Sequence, residues 1–414
     1  MKKNKWLNGV LPLFLINFSI GAVYCWTLVK EAVNAYTGFN TMITDWCFSI
    51  AIFFLGMSAA FGGKIVEKNP KKSAFLTFIF FTLGWLLTGV GIYIKSAALT
   101  VVAFGVIQGI GLGLGYITPV KTMMIWFEGK KGFAAGLAIA SFGIAGIIGN
   151  PLIGGLLKIE SIQIYHVFFI LTAIYGVATF LGSRLLYRPE VIEEEGTVHL
   201  NTKEVIFHGK FILLWLIIFL NISCGLALIG REKQVYLQVG VLSDSFITAV
   251  FCMITAAANV IGRIAFASWQ DKLKQKHTPY YIMGICSLAI CFILVIVNKS
   301  LNITDILPQG TTIPFLTFMT VTLIFFIQFF FGVGFGCLPN VLHQNYGIHQ
   351  LSTVHGLILS AWGCAGLVGN QLSRIINERY NLPTLYLFLG VMYSVMFVIL
   401  IIWTRIVKKE KKFA

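Results

Sequence analysis

The amino-acid sequence predicts an all-α membrane protein of twelve transmembrane helices, arranged as two pseudo-symmetric six-helix bundles. Three observations carry that expectation: an apolar composition, a side-to-side bias of Lys and Arg, and an internal repeat. Of 414 residues, 57% are hydrophobic and 11% charged, and the mean hydropathy is +0.84. A soluble domain would carry about a quarter charged residues. Apolar stretches long enough to cross a core of about 30 Å run over 6–29, 43–66, 73–95, 97–121, 133–157, 164–187, 210–230, 245–270, 278–298, 312–340, 354–376 and 383–405. The first follows a basic flank and is longer than a signal-peptide core, so it is expected to remain as a spanning helix. The eight Cys show no metal-type CxxC spacing, so neither a zinc site nor a disulfide framework is expected.

The net charge of +15 is read through its distribution. Twenty-two Lys and Arg fall at the N-terminus, around Lys68, Lys131, Arg188 and Lys274, and in the C-terminal RIVKKEKK. Eight fall in the alternate loops (Lys30, Lys95, Lys158, Arg231, Lys233, Lys299, Arg374, Arg379). The positive-inside rule then puts both termini in the cytoplasm and requires an even number of spans. The basic charge is topology, and no nucleic-acid partner is expected. The long polar stretch at 188–209 is expected to link an N-terminal bundle, 1–187, to a C-terminal bundle, 210–414.

The repeat supports that division. GLAIASFGIAGIIGNPL at 136–152 aligns without a gap on GLILSAWGCAGLVGNQL at 356–372, an offset of 220. The matches include Gly136/Gly356, Gly143/Gly363, Gly149/Gly369 and Asn150/Asn370, and the same offset pairs Gln108 with Gln328. Parallel repeats of this kind imply a site near the bilayer midplane, between the halves. A second correspondence closes the second and eighth spans: Gly63 to Lys72, containing Glu67, Lys68 and Lys72, and Ala267 to Lys276, containing Asp271 and Lys272. These segments resemble the GxxxDRxGRR signature of the major facilitator superfamily, with Glu67 for its Asp and Pro70 for its second Gly. The resemblance implies the major facilitator fold. It also implies a gate on the cytoplasmic side, where the acids cap neighbouring helices and Lys68, Lys72 and Lys272 pair across the bundles.

One arginine, Arg263, lies inside a span, eight residues and so about 12 Å deeper than Asp271. A guanidinium at that depth costs roughly 3 kcal/mol on insertion scales, and no acid is expected at its level, since Asp45 and Asp244 sit near outer helix ends. A planar guanidinium matches a carboxylate, so a mobile small carboxylate anion is the expected partner. Gln108 and Gln328 near the centres of the fourth and tenth spans are candidates to line the cavity or to tie helices together; Tyr24, Trp26 and Tyr116 are candidates to wall the site, with the interfacial aromatic belt an equal explanation for Tyr24 and Trp26. His343, His349 and His355 are expected at a cytoplasmic interface, and His166 near an outer end.

Asn259-Val260-Ile261-Gly262-Arg263 resembles the Asn-x-x-Gly-Arg of the oxalate/formate antiporter family, which is related to the monocarboxylate transporters. Gly21-Ala22-Val23-Tyr24-Cys25-Trp26-Thr27 resembles that family's Gly-x-x-Tyr-x-Trp-Ser/Thr, and together such segments cover most of the chain. The resemblance implies that Arg263 binds the substrate carboxylate. Two departures qualify it. Trp362 stands where the oxalate antiporter has a lysine, which favours a monocarboxylate such as lactate, pyruvate or formate over a dianion. Asn259 stands where proton-coupled monocarboxylate transporters have an Asp, which favours exchange or uniport by alternating access over proton symport. A proton-coupled symporter remains the alternative, and a transport-dead nutrient sensor is an alternative of another class. HExxH, GxSxG and paired Asp constellations are missing at membrane depth, so no enzyme is expected. Further expectations are no cofactor and no metal, a monomer among membrane lipid, and a bacterial inner (plasma) membrane.

Overall fold

The computed structural model describes residues 3–190, 201–229, 245–301, 313–379 and 381–413. Arg231, Lys233, Asp244, the middle of the linker at 191–200 and the loop at 302–312 lie outside the described residues. Among those described there is no strand, and twelve helices exceed twenty residues. They are α1 (Trp6–Thr37), α2 (Thr41–Lys68), α3 (Pro70–Tyr93), α4 (Ala97–Trp126), α5 (Lys131–Leu157) and α6 (Ile164–Leu185). Then follow α7 (Gly209–Ile229), α8 (Ser245–Gln270), α9 (Thr278–Leu301), α10 (Ile313–Gly336), α11 (Leu351–Arg379) and α12 (Leu382–Phe413). Eleven stretches among the described residues are long and apolar enough to cross a membrane. The helix outside that set, α8, carries Asn259, Arg263 and Gln270.

Local chemistry sets the helix ends. Asn40 caps α2, its side chain accepting from the Met42 N–H at 3.0 Å. Asn69 caps α3, accepting from the Lys72 N–H at 2.9 Å, and Pro70 takes the first helical position, where its missing N–H costs nothing. The proline departure in the signature is therefore a sound helix start. Gly38, at φ 77°, ends α1 in the left-handed region that glycine tolerates. That helix runs eight residues past the expected 29 because Val29 and Val33 give its last turns a buried face.

In the first half α1 packs on α5 and α6, α2 on α4, and α3 on α4 and α6. In the second half α7 packs on α11 and α12, α8 on α10, and α9 on α10 and α12. Two seams join the halves, α2 against α11 and α5 against α8. Both need glycine: a Cβ on Gly56 would stand 2.5 Å from the Gly363 nitrogen, and one on Gly136 would stand 2.8 Å from the Arg263 carbonyl oxygen. Close backbone approach of this kind is how helices pack where lipid supplies no hydrophobic drive.

Candidate functional site

Arg263, 2% exposed, sits where α8 meets α5. One guanidinium N–H donates to the Ile139 carbonyl at 2.8 Å, and the group lies over the Phe335 ring, 5.0 Å from its centroid. Its Nε has no hydrogen-bond partner, and among the described residues no carboxylate pairs with it. A carbonyl and a ring face soften the cost of burial but leave the charge unneutralised.

Five rings surround this charge. Trp362 on α11, 0% exposed, meets Phe335 at 4.8 Å, Tyr116 at 5.1 Å and Phe142 at 5.8 Å between centroids. Phe142 also meets Tyr116 at 5.2 Å and Tyr24 at 5.4 Å. Tyr24 is partly exposed and lies in the 3-10 turn Ala22–Cys25 that interrupts α1. Both phenols are within electrostatic reach of Arg263. The Tyr116 hydroxyl and the Trp362 Nε1 are buried without partners. The result is an apolar box with one cation and a few unspent polar atoms, the usual build of a small-molecule site.

The sequence-selected residues divide on this geometry. Arg263, Trp362, Tyr116 and Tyr24 come together. Gln108 does not join them: eight residues from Tyr116 put it about 80° round α4, and its Cβ packs on the backbone of Gly84 in α3. Asn259 donates to the Gln328 carbonyl at 3.1 Å, tying α8 to α10, while the Gln328 Nε2 is unpartnered two turns from Phe335 on the same side of α10. Trp26 donates to the Thr44 carbonyl at 2.8 Å and stacks on Phe104, so it braces α1 instead of walling the box. Phe142, Phe335 and His355 were not singled out as site residues. A signal existed for Phe142, since the offset of 220 pairs it with Trp362.

His355 lies near the start of α11, towards the basic end, and faces Tyr116 of the other half. It is 1% exposed, its Nε2 is unpartnered, and its ring lies 6.3 Å from that of Tyr116. Seven residues separate it from Trp362, which places both on one face of α11.

The basic end of the helices carries two matching carboxylate caps. Glu67, ending α2, accepts from the Ser352 N–H in the first turn of α11 at 2.9 Å. Asp271, just beyond α8, accepts from the Gly132 and Phe133 N–H groups in the first turn of α5 at 2.7 and 3.0 Å. Each joins the two halves, and a carboxylate at a helix N-terminus is worth about 1 kcal/mol. The cations are not those expected. Lys68, Lys72 and Lys272 are exposed and form no ion pair among the described residues, because a flexible amine at an exposed helix end gains little from pairing. Buried Lys121 pairs with Glu67 instead, and Arg188 donates to the carbonyls of Glu67 and, at 3.0 Å, of Val66. Burial brings the Arg188 guanidinium down to about 10, still charged at neutral pH. Lys276 serves α8 in the same way, donating to the carbonyls of Gln270 and Asp271 at 2.9 and 3.1 Å.

Two helical halves meeting along paired seams around a central charged box define a membrane transporter. The Major Facilitator Superfamily profile matches residues 9–369, and the chain belongs to that family. It is 23% identical to the uncharacterized MFS-type transporter YhjX of Escherichia coli (strain K12), over 88% of this chain and 87% of that one. It is 21% identical to the oxalate:formate antiporter of Oxalobacter formigenes, over 93% and 88%. A shorter similarity, 27% identical over 36% of this chain and 35% of the other, is to apicoplast pyruvate carrier 1 of Toxoplasma gondii. The fold is similar to that of the proton:xylose symporter XylE, with a TM-score of 0.71 at 13% identity, covering 94% of this chain and 93% of that one.

Proposed function

We propose that this chain is a secondary transporter of small organic anions, with monocarboxylates such as lactate, pyruvate or formate as its main substrates. The observation that carries the reading is Arg263: a buried guanidinium between the halves, with an unspent Nε and no carboxylate partner among the described residues. An anion that binds there is neutralised by one cation and encloses its apolar part in the box of rings. Trp362 occupies space where a second fixed cation would stand, so a single negative charge suits the site better than two. Similarity to proteins named for oxalate, formate and pyruvate supports the substrate class.

The mechanism is alternating access. With Glu67 and Asp271 on their partner helices and glycine at both seams, the basic end is shut beneath Arg263. Substrate reaches the guanidinium from the opposite end, past Tyr24. Opening the basic end breaks both caps and separates α2 from α11 and α5 from α8, and the anion leaves on that side. Asp45 is paired with Lys30 at 3.1 Å near the far end of α2, away from Arg263 in sequence and depth. Exchange or uniport is therefore the mode we assign, in a bacterial inner (plasma) membrane with both termini in the cytoplasm, and without a catalytic step. A thermal-shift screen of the purified protein against small organic acids tests the reading. Stabilisation by monocarboxylates above a series of sugars and amines is expected, and stabilisation by neutral sugars alone would overturn it.

A further inference from the structure

We propose that His355 is a second, switchable cation of this site, which lets the pocket take a dicarboxylate when the imidazole is protonated and a monocarboxylate when it is neutral. The inference rests on the reading of Arg263 as the carboxylate anchor and adds a determinant of which carboxylates bind. The sequence alone leaves one cation, because Trp362 replaces the lysine of the oxalate antiporter. Two turns along the same face of α11, the structure supplies an imidazole that is 1% exposed with an unpartnered Nε2. Tyr116 is near both groups, within electrostatic reach of Arg263 and 6.3 Å from the His355 ring, and its own hydroxyl is unspent. Arg263 and His355 thus both lie near Tyr116, and among the described residues no acid pairs with either.

Charge decides what the pocket accepts. Two cations facing one small apolar pocket repel each other at low effective dielectric, so a protonated His355 beside Arg263 is tolerable only with two negative charges between them. A monocarboxylate satisfies Arg263 alone and leaves the imidazole neutral, free to donate or accept one hydrogen bond. A dianion of oxalate type brings one proton onto His355 as it binds. That proton comes from water, so the oxalate–protein complex forms with the uptake of one H⁺ and the monocarboxylate complex does not.

The other groups around α11 have different employment. On α4, Lys121 is held by Glu67, and on α2, Glu67 is held by Lys121 and the Ser352 N–H. Between α10 and α11, His343 lies 3.4 Å from Lys131 at the basic end, and the Lys121 amine reaches the His349 carbonyl at 3.4 Å. On α7, Lys210 is paired with Glu410 of α12 at 2.9 Å. The ionisable groups near His355 in the box are Arg263 and the phenols Tyr116 and Tyr24.

The test is direct binding of oxalate and of pyruvate to the purified protein at roughly pH 7.5 and pH 5.5, since a complex that takes up a proton gains affinity in acid. In the parent protein the ratio of oxalate to pyruvate affinity should rise by up to about a hundredfold on acidification, one proton taken up across roughly two pH units. His355→Gln should remove that rise, and His355→Lys should hold the ratio high at both pH values. Calorimetry in two buffers of different ionisation heat should count a proton taken up with oxalate and none with pyruvate. A rise that persists in His355→Gln, or a ratio in the parent that does not move with pH while both acids bind, overturns the inference and leaves the transport reading standing. If neither acid binds the parent protein at either pH, the transport reading falls and this inference with it.

Discussion

At the scale of single residues, the candidate site is a charge with no fixed counter-charge among the described residues, set among rings. The residue that closes it is Trp362, which touches Tyr116 and Phe142 of one half and Phe335 of the other. Replacing it tests whether the box sets charge preference. Trp362→Lys should raise binding of oxalate relative to pyruvate by about tenfold, measured by competition, and an unchanged ratio would count against Trp362 as the determinant. Arg263 was legible from the sequence because a guanidinium inside an apolar run is conspicuous. The neighbours of His355 were not, since a histidine one turn into a helix does not say which residues it will meet. Gln108 was harder to place, because a central position on a span does not say which way a side chain faces, and its Cβ lies against Gly84 of α3.

At the scale of helices, the proposed alternating access puts the conformational change at the seams, and backbone contact makes them sensitive to volume. Gly356 has no room for a side chain because a Cβ there would run into the Ala59 carbonyl. Gly356→Leu should keep α2 and α11 apart at the basic end and slow exchange in proteoliposomes by tenfold or more, about the effect of 1–3 kcal/mol of overpacking. Exchange at the parent rate would show that this seam need not close. The caps offer a gentler perturbation. Asp271→Asn loses a charged acceptor for the Gly132 and Phe133 N–H groups, worth about 1 kcal/mol or some fivefold in the closed population. Maleimide labelling of buried Cys337, followed by mass spectrometry, should quicken by about that factor, and an unaltered rate would remove Asp271 from the gate. These carboxylates could be read from the signature segments. Their cations could not, because Lys121 and Arg188 reach Glu67 only through the packing of α4 on α2 and the return of the chain after α6.

At the scale of the whole molecule, the repeat written in the sequence becomes geometry at the centre. Phe142 and Trp362, partners at the offset of 220, meet with ring centroids 5.8 Å apart, and the pseudo-equivalent Gly136 and Gly356 each lie on a seam. Helix number and the pairing of halves were therefore readable from pattern, whereas the box depended on which faces of α4, α5, α10 and α11 turn inward. In the proposed exchange mode monocarboxylates should carry no protons: pyruvate–pyruvate exchange at zero membrane potential should leave a trapped pH dye unchanged, and acidification on uptake would favour a symporter. The most direct measurement of the central claim is counterflow of labelled pyruvate in proteoliposomes, comparing the parent with Arg263→Ala and Arg263→Lys after both are shown to be folded by size-exclusion chromatography. Loss of a buried charge partner predicts a fall of about thirtyfold or more in both variants, since an ammonium does not reproduce the paired donors of a guanidinium. Counterflow at the parent rate in folded Arg263→Ala would contradict the account.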